Sequence, residues 1–340
     1  MQLTTIPIRY VSFILQSAER HGYDTDSLLA SANIAPALLL QEKARISADD
    51  YHQFAQSTIF LMQDEYCGFL PQPARIGTFE MMTQACINCD SLGAFIERSA
   101  RFQHLLGDAL QIELQREDDL ARYVLRPSKD SQDPDHFLCF VLLSIAQRLF
   151  SWVIGQPLLL DSVDIAHQRP GYAHEYNFLF RTSIRFKQSD FSLNFPARYL
   201  DLPNVQDQRT LTQLLKTPGM QLMSISSSDN SLVMKVLSMI RDHVSGDFPE
   251  FETIASDLCM TTATLRRRLR EEGSSYRQIK DDIRRDVAIF NLGKSGMTVE
   301  QVAESVGFSE ATSFFRAFKR WTGVTPRVYV KATSEHLEAD

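Results

Sequence analysis

The last hundred or so residues contain an internal two-fold repeat, and this feature restricts the fold more than any other. Apolar residues of the first copy recur 48 positions later, and an apolar–arginine–apolar triplet recurs 49 positions later. The pairs are Ile254, Ala255 and Leu258 with Val302, Ala303 and Val306, then Leu265, Arg267 and Leu269 with Phe314, Arg316 and Phe318. Apolar residues at helical spacing predict two short amphipathic helices in each copy. A tight turn between them gives the helix-turn-helix plan.

The residues at the predicted helix ends agree with this plan. Cys259–Thr261 joins the two helices of the first copy, and its threonine can cap the second helix. Gly307–Ser309 takes the same place in the second copy, where the glycine is free to adopt a positive φ. Thr298–Gln301 is predicted to form a capping box that opens the second copy. Gly273 and Gly323 are predicted to end the second helix of each copy.

A single helix is predicted between the copies. Tyr276, Ile279, Ile283 and Val287 lie on one apolar stripe, so the helix runs from about Tyr276 to Leu292. Seventeen residues span roughly 26 Å. With the helical units packed at each end, the second helices of the two copies are expected to lie about one DNA turn, roughly 34 Å, apart. The same stripe would fit any six- or seven-helix bundle. The agreement of the repeat, the caps and the spacing favours a module that reads two successive major grooves.

The charge distribution is compatible with a nucleic-acid partner although the chain is acidic, with a net charge of −7. Residues 262–294 hold nine basic and five acidic side chains, and residues 309–331 hold five and one. DNA binding requires a local basic face rather than a basic protein, because only contacts near phosphates release counterions. Charge alone would also fit a solvated surface.

The outward residues of the second helix in each copy are the candidate DNA contacts, because such helices present their N-terminal residues to base edges. Arg266 and Arg267 face away from the predicted core, and arginine can donate two hydrogen bonds to guanine. Phe315 has two interpretations, contact with a thymine methyl group or packing against the linker helix. The predicted base contacts are Thr262, Ala263, Arg266, Arg267, Ala311, Thr312, Phe315 and Arg316. The predicted phosphate contacts are Arg268, Arg270, Thr298, Ser309, Lys319 and Arg320.

These residues resemble the signature of the AraC/XylS family of transcription regulators over about 100 C-terminal residues. The matching positions are Ala255, Leu265, Arg267, Leu269, Gly273, Ala303, Gly307, Phe308, Phe314, Arg316, Phe318, Trp321, Gly323, Pro326 and Tyr329. Asn291 and Val330 depart from it, at an apolar and a basic position of the family respectively. The resemblance implies a transcription regulator, expected to be an activator, with double-stranded promoter DNA and RNA polymerase as partners. The N-terminal region is similar to the arabinose-binding effector and dimerisation domain of ornithine-utilisation-type regulators, which implies a homodimer and a small-molecule effector.

The region before the repeat has mixed periodicity, which predicts an α+β domain with helices and an antiparallel sheet, followed by an all-α DNA-binding domain. Helices are predicted near 8–18, 51–62, 81–87, 92–106 and 137–153, and strands near 110–114, 120–124, 158–165, 183–186 and 191–195. The predicted organisation is an effector-binding and dimerisation domain over 1–216, a flexible linker over 217–229, the DNA-binding domain over 230–332 and a tail over 333–340. The apolar helix 137–153, packed on the hairpin 110–125, is either a wall of the effector pocket or simply core.

Other signals point away from enzymes, cofactors and membranes. No run approaches the apolar length of a membrane span, and five scattered cysteines suggest reduced thiols in a cytoplasmic protein. Cys86 and Cys89 form a lone CxxC, so buried free thiols are expected rather than a metal site. A fused DNA-repair methyltransferase would need a four-cysteine zinc site, which is not found. An effector-independent regulator, or a small-molecule-binding protein with a degenerate DNA module, stays open as an alternative.

Overall fold

The computed structural model describes residues 5–173, 176, 179–180, 182–224, 232–243, 248–272, 274–293 and 297–334. Contacts divide the chain into two compact units. Unit 1 combines residues up to 58 with those from 230 onward, and unit 2 comprises residues 59–229. Gly273, the end of the predicted linker (225–229) and the end of the tail (335–340) lie outside the described residues. Within the described ranges, no helix has both the length and the apolar character needed to cross a membrane.

Unit 1 begins with a small layer of helices and a two-stranded ribbon. The strands β1 (Thr5–Pro7) and β2 (Arg45–Ser47) pair antiparallel, with Thr5 opposite Ser47. The helices are α1 (Ile8–Arg20), α2 (Thr25–Ser31), α3 (Pro36–Leu39) and α4 (Ala48–Met62). The backbone N–H of Asp50 donates to Ser47 Oγ at 3.0 Å, which caps the start of α4. The interior is apolar and includes Ile8, Val11, Leu29, Ile34, Leu38, Ile46 and Phe54.

Unit 2 is built around a five-stranded sheet in the order β3-β4-β7-β5-β6. The strands are β3 (Leu110–Glu117), β4 (Leu120–Pro127), β5 (Ser162–Ile165), β6 (Ser183–Phe186) and β7 (Phe191–Pro196). The hairpin β3–β4 turns at Asp118, which has a φ of 47°, within the polar turn that the sequence predicts. The sheet is antiparallel as predicted, apart from the parallel pair β5–β6.

The helices of unit 2 pack on this sheet or on one another. They are α5 (Thr78–Cys86), α6 (Leu92–Leu105), α7 (Phe137–Val153), α8 (Gln208–Lys216) and α9 (Pro218–Ser224). The predicted helix 137–153 is confirmed, and it packs against β4 and β7 with its apolar side chains buried. Residues 218–224 form a helix, although the sequence predicted a flexible connector there. Pro218 sits in the first turn, where the missing N–H costs nothing.

The C-terminal part of unit 1 is all helical, as predicted. Its helices are α10 (Leu232–Ile240), α11 (Phe251–Asp257), α12 (Thr262–Glu271), α13 (Tyr276–Leu292), α14 (Val299–Ser305), α15 (Ala311–Thr322) and α16 (Pro326–Ser334). The pairs α11–α12 and α14–α15 are the two copies of the repeat. The helix α13 between them has the bounds that the sequence predicts.

Candidate nucleic-acid interface

The first copy has the turn that its sequence predicts. Thr261 is the N-cap of α12, and its hydroxyl accepts from the backbone N–H of Thr264 at 3.1 Å. Cys259 supplies the left-handed residue of the turn, with a φ of 53°. Leu265 and Leu269 lie on the inward face of α12 and are fully buried. The other face of the helix is therefore the one that solvent or DNA can reach.

The helix α12 carries the six contacts that are predicted for the first copy. Ala263 and the four predicted arginines are exposed, and Thr262 is half-buried near the N-terminal end. The guanidinium of Arg266 lies 5.4 Å from the centre of the Phe251 ring, while Arg267 pairs with Glu271 at 2.9 Å, one turn along the helix. An exposed pair of this kind contributes about 0.2–1 kcal/mol, and a bidentate contact to guanine about 1–3 kcal/mol. The pair with Glu271 is therefore weak enough to leave the Arg267 guanidinium available to another partner.

The second copy begins with the predicted capping box. Thr298 Oγ1 accepts from the backbone N–H of Gln301 at 3.2 Å, and Gln301 Oε1 accepts from the backbone N–H of Thr298 at 2.8 Å. Gly307 has a φ of 79°, as its place in the turn requires. The N-cap of α15 is Glu310 rather than Ser309, and no side chain caps this helix. Ser309 lies one residue before the cap and is exposed, which places it close to the helix end but not in it.

The helix α15 carries the predicted contacts of the second copy other than Thr298 and Ser309. Phe314 and Phe318 are fully buried, as predicted. Thr312, Arg316 and Lys319 are exposed; Ala311 is half-buried. Arg320 is exposed and lies 3.4 Å from Asp281 of α13.

The ring of the half-buried Phe315 is held by neighbours in its own helix and in α16. Its ring contacts Phe314 at 6.4 Å between centroids, and the guanidinium of Arg327 in α16 lies 5.8 Å from its centre. The ring is thus held at the edge of the outward face by its own neighbours. Part of it stays accessible beside Arg316, where an apolar group on DNA can still meet it.

The helix α13 joins the two copies through a residue that the sequence did not single out. The guanidinium of Arg284 lies 4.9 Å from the ring centre of Phe248, just before the first copy, and 5.4 Å from that of Phe308, in the turn of the second copy. Burial lowers the pKa of this guanidinium. Cation–π contacts of this kind stabilise by about 0.5–2 kcal/mol. Arg284 therefore ties both copies to one helix.

Two further residues acquire a role that only the structure reveals. Glu272 directly follows α12. Its carboxylate accepts hydrogen bonds from the backbone N–H groups of Leu232 and Val233 at 2.9 and 3.0 Å. It thereby satisfies N–H groups at the start of α10 that no helical carbonyl can reach. Asn291, which departs from the family pattern, donates to Ser305 Oγ at 3.0 Å and so links α13 to α14.

The cysteine pair of unit 2 behaves as the sequence predicts. Cys86 and Cys89 are free and buried, and burial raises the pKa of both thiols, that of Cys86 to about 12. A thiol with such a pKa is a poor nucleophile and a poor metal ligand at neutral pH. Among the described residues, no group of three or more His, Cys, Asp or Glu side chains is placed to hold a metal ion.

The geometry of unit 1 defines a class of protein. Two helix-turn-helix pairs expose arginines on their second helices and share one continuous connecting helix. This is the arrangement of a DNA-binding module with two recognition helices.

Family models identify the family. A model described as the arabinose-binding domain of AraC transcription regulators matches residues 22–204, and a helix-turn-helix domain model matches residues 254–332. The chain belongs to the AraC family of transcription regulators, and it is a DNA-binding regulator of transcription. The resemblance of both regions that the sequence indicated is confirmed.

The chain is similar to several individual regulators. The chain is 25% identical to the ornithine utilization regulator of Pseudomonas aeruginosa over 328 residues, 96% of each chain. It is 30% identical over 149 residues to the regulator VqsM of the same organism, covering 44% of this chain and 46% of VqsM. It is also similar to the crystal structure of the regulator CdpR from Pseudomonas aeruginosa, at 22% identity and a TM-score of 0.32. That match covers 76% of this chain and 84% of that one.

Proposed function

We propose that the protein binds a bipartite operator with α12 and α15 in successive major grooves of the same DNA face. The observation that carries this proposal is that both recognition helices bury their apolar face and expose arginines at equivalent positions, Arg267 and Arg316. The proposed base contacts are the eight residues named above. The flanking residues Arg268, Arg270, Thr298, Ser309, Lys319 and Arg320 reach phosphates, which fix the register without reading sequence.

The test starts from an operator selected out of random DNA by the full-length protein. The double variant Arg267→Ala with Arg316→Ala should lose about 2–6 kcal/mol of specific binding, since each bidentate arginine contributes about 1–3 kcal/mol of discrimination. Arg209→Ala is the matched control, because it removes an equally exposed arginine from α8 of unit 2. Wild-type affinity of the double variant in a gel-shift titration would contradict the proposal.

We further propose that unit 2 receives the signal, as a homodimerising domain with a site for a small organic effector. The site is expected beside α7, because this helix is apolar, lies against β4 and β7, and carries buried polar side chains such as Gln147 and Ser151. Apolar clefts with a few convergent polar groups are the usual form of such sites. An effector then shifts the population between two arrangements of the two DNA-binding modules. The change in free energy is no larger than the difference between its affinities for the two arrangements.

The relative that regulates ornithine utilisation makes ornithine the first effector to test. Thermal shift of the full-length protein with ornithine, with lysine and arginine as matched controls and fatty acids as a second class, measures this directly. A rise in Tm with ornithine alone supports an amino-acid effector. No shift with any compound, together with unchanged operator binding, would support an effector-independent regulator instead.

We propose that the protein works in the cytoplasm as an activator that contacts RNA polymerase. It acts by binding DNA and does not catalyse a reaction. In-vitro transcription from the selected operator, placed upstream of a core promoter, tests this role. An increase in transcript that requires Arg267 and Arg316 supports activation, and a decrease would make the protein a repressor.

A further inference from the structure

A buried polar cluster connects the first described residue of the chain to the linker helix α13. The hydroxyl of Thr5 donates to Asp286 Oδ1 at 2.6 Å, across a sequence separation of 281 residues. Thr5 is 2% exposed and Asp286 is 8% exposed. A hydrogen bond to a buried carboxylate is among the stronger ones in proteins, since the charge has lost its water.

The second strand of the ribbon completes the cluster. Arg45 Nε donates to Thr5 Oγ1 at 2.8 Å, and its terminal nitrogen donates to the Thr5 carbonyl, also at 2.8 Å. The Thr5 hydroxyl therefore accepts from β2 while it donates to α13. This hydroxyl fixes the position of the ribbon relative to α13, because it acts as a hydrogen-bond donor to α13 and as an acceptor from β2.

The helix side of the cluster is equally constrained. Arg285 lies 2.7 Å from Asp282 and 2.9 Å from Asp286, and all three side chains are largely withdrawn from solvent. Burial alone would lower the pKa of Arg285, but the charges of Asp286 and Asp282 outweigh it and raise this pKa. Buried ion pairs add little net stability, yet they are costly to distort. The cluster therefore favours one position of the ribbon on α13.

The same N-terminal segment also reaches the second copy of the repeat. The hydroxyl of Tyr329 in α16 donates to the backbone carbonyl of Arg45 at 3.3 Å. Gly323 ends α15 with a φ of 82°, and a Cβ at this position would come within 3.1 Å of Gln41 Oε1. The segment thus contacts α13, the end of the second recognition helix and the helix that follows it.

We infer that Thr5 and Arg45 are positioning residues for DNA reading by the second helix-turn-helix copy. They hold α13 and α16 in one arrangement, and α15 lies between these two helices in the chain. This inference rests on the proposed DNA binding through α12 and α15. It assigns to the N-terminal ribbon a role in placing α15, beyond any role in effector binding.

The test compares Thr5→Val with Thr5→Ser in the full-length protein. Valine keeps the shape but removes the hydroxyl, and serine keeps the hydroxyl, so serine is the matched control. Each protein is titrated on the selected operator, on a version with the α12 half scrambled and on a version with the α15 half scrambled. Arg45→Lys serves as the second variant, since lysine keeps the charge but cannot make both bonds to Thr5.

Thr5→Val should bind roughly three- to tenfold more weakly on the intact operator and on the version with the α12 half scrambled. It should match the wild type where the α15 half is scrambled, and Thr5→Ser should match it everywhere. Equal weakening on all three DNAs would overturn the inference, because a general loss of folded protein has that signature. Wild-type affinity of Thr5→Val on every DNA would also overturn it while leaving DNA binding intact. Failure of the wild type to select any operator would instead refute the proposed function.

Discussion

The two helix-turn-helix copies follow one plan but are stabilised differently. The recognition helix of the first copy rests on two leucines, has a threonine cap and is rich in arginine. That of the second rests on Phe314 and Phe318, has no side-chain cap and ends at a left-handed glycine. The second copy also has aromatic neighbours, among them Phe308 and Tyr329. The same helix-turn-helix plan is therefore stabilised by different side chains in the two copies.

The largest expected difference between the copies is in their cores. Phe318→Ala should lower the free energy of unfolding by about 3–5 kcal/mol and Leu269→Ala by about 2–5 kcal/mol. The loss should be greater for Phe318→Ala, because the larger side chain leaves the larger cavity. Urea unfolding followed by the fluorescence of Trp321 measures both, in a Trp152→Phe background that removes the signal from unit 2. A greater cost for Leu269→Ala would show that the aromatic core is not the stronger one.

The next difference concerns the bases that each copy reads. Arg267→Ala should cost about 1–3 kcal/mol and relax specificity in the α12 half of the operator, and Arg316→Ala should do the same in the other half. Arg268→Ala should weaken binding to all sequences alike and reduce its salt dependence, as loss of a phosphate contact does. Selection from random DNA by each variant distinguishes these outcomes. Relaxation of the same half by both arginines would contradict the assignment of one half to each copy.

The turns offer a reciprocal exchange, because Cys259 and Gly307 occupy equivalent positions and both have a positive φ. A left-handed conformation costs a residue with a Cβ about 1–2 kcal/mol, so Gly307→Ala should destabilise by about that amount. Cys259→Gly should stabilise by about 0.5–1 kcal/mol, since relief of strain exceeds the extra entropy of the unfolded glycine. Thermal unfolding of both variants measures the pair. Destabilisation by Cys259→Gly would mean that the cysteine side chain contributes packing that its exposure does not suggest.

The smallest expected difference is in the helix caps. Thr261→Ala should destabilise the first copy by about 1 kcal/mol, because it leaves the N–H of Thr264 without its partner. Glu310→Ser should stabilise the second copy by about 0.5 kcal/mol, since serine can accept a hydrogen bond at a position where Glu310 accepts none from its helix. Amide hydrogen exchange at the first turns of α12 and α15 resolves the two effects. Unchanged protection in α15 of the serine variant would argue against a missing cap.

Several features of this protein were determined by local sequence. The caps at Thr261 and Thr298, the turn at Gly307 and the helix Tyr276–Leu292 all depend on residues within a few positions of each other. The exposed face of each recognition helix follows from the same periodicity, so the candidate contacts could be chosen without a structure. Their role on DNA remains a prediction.

Tertiary structure decided what local sequence left open. Helix α9 was missed because Pro218 suggests a break, whereas packing of α9 on α7 favours a helix that begins there. The parallel pairing of β5 with β6 has no local signature, since either direction satisfies the same alternation.

Two features depend on residues far apart in the sequence. One is the grouping of the N-terminal ribbon with the C-terminal helices, and the other is the pair of ring contacts that Arg284 makes. Periodicity shows which face of a helix is buried, but it does not show which distant segment covers that face. Only the folded chain, by matching Thr5 and Arg45 to the buried charges of α13, makes that choice.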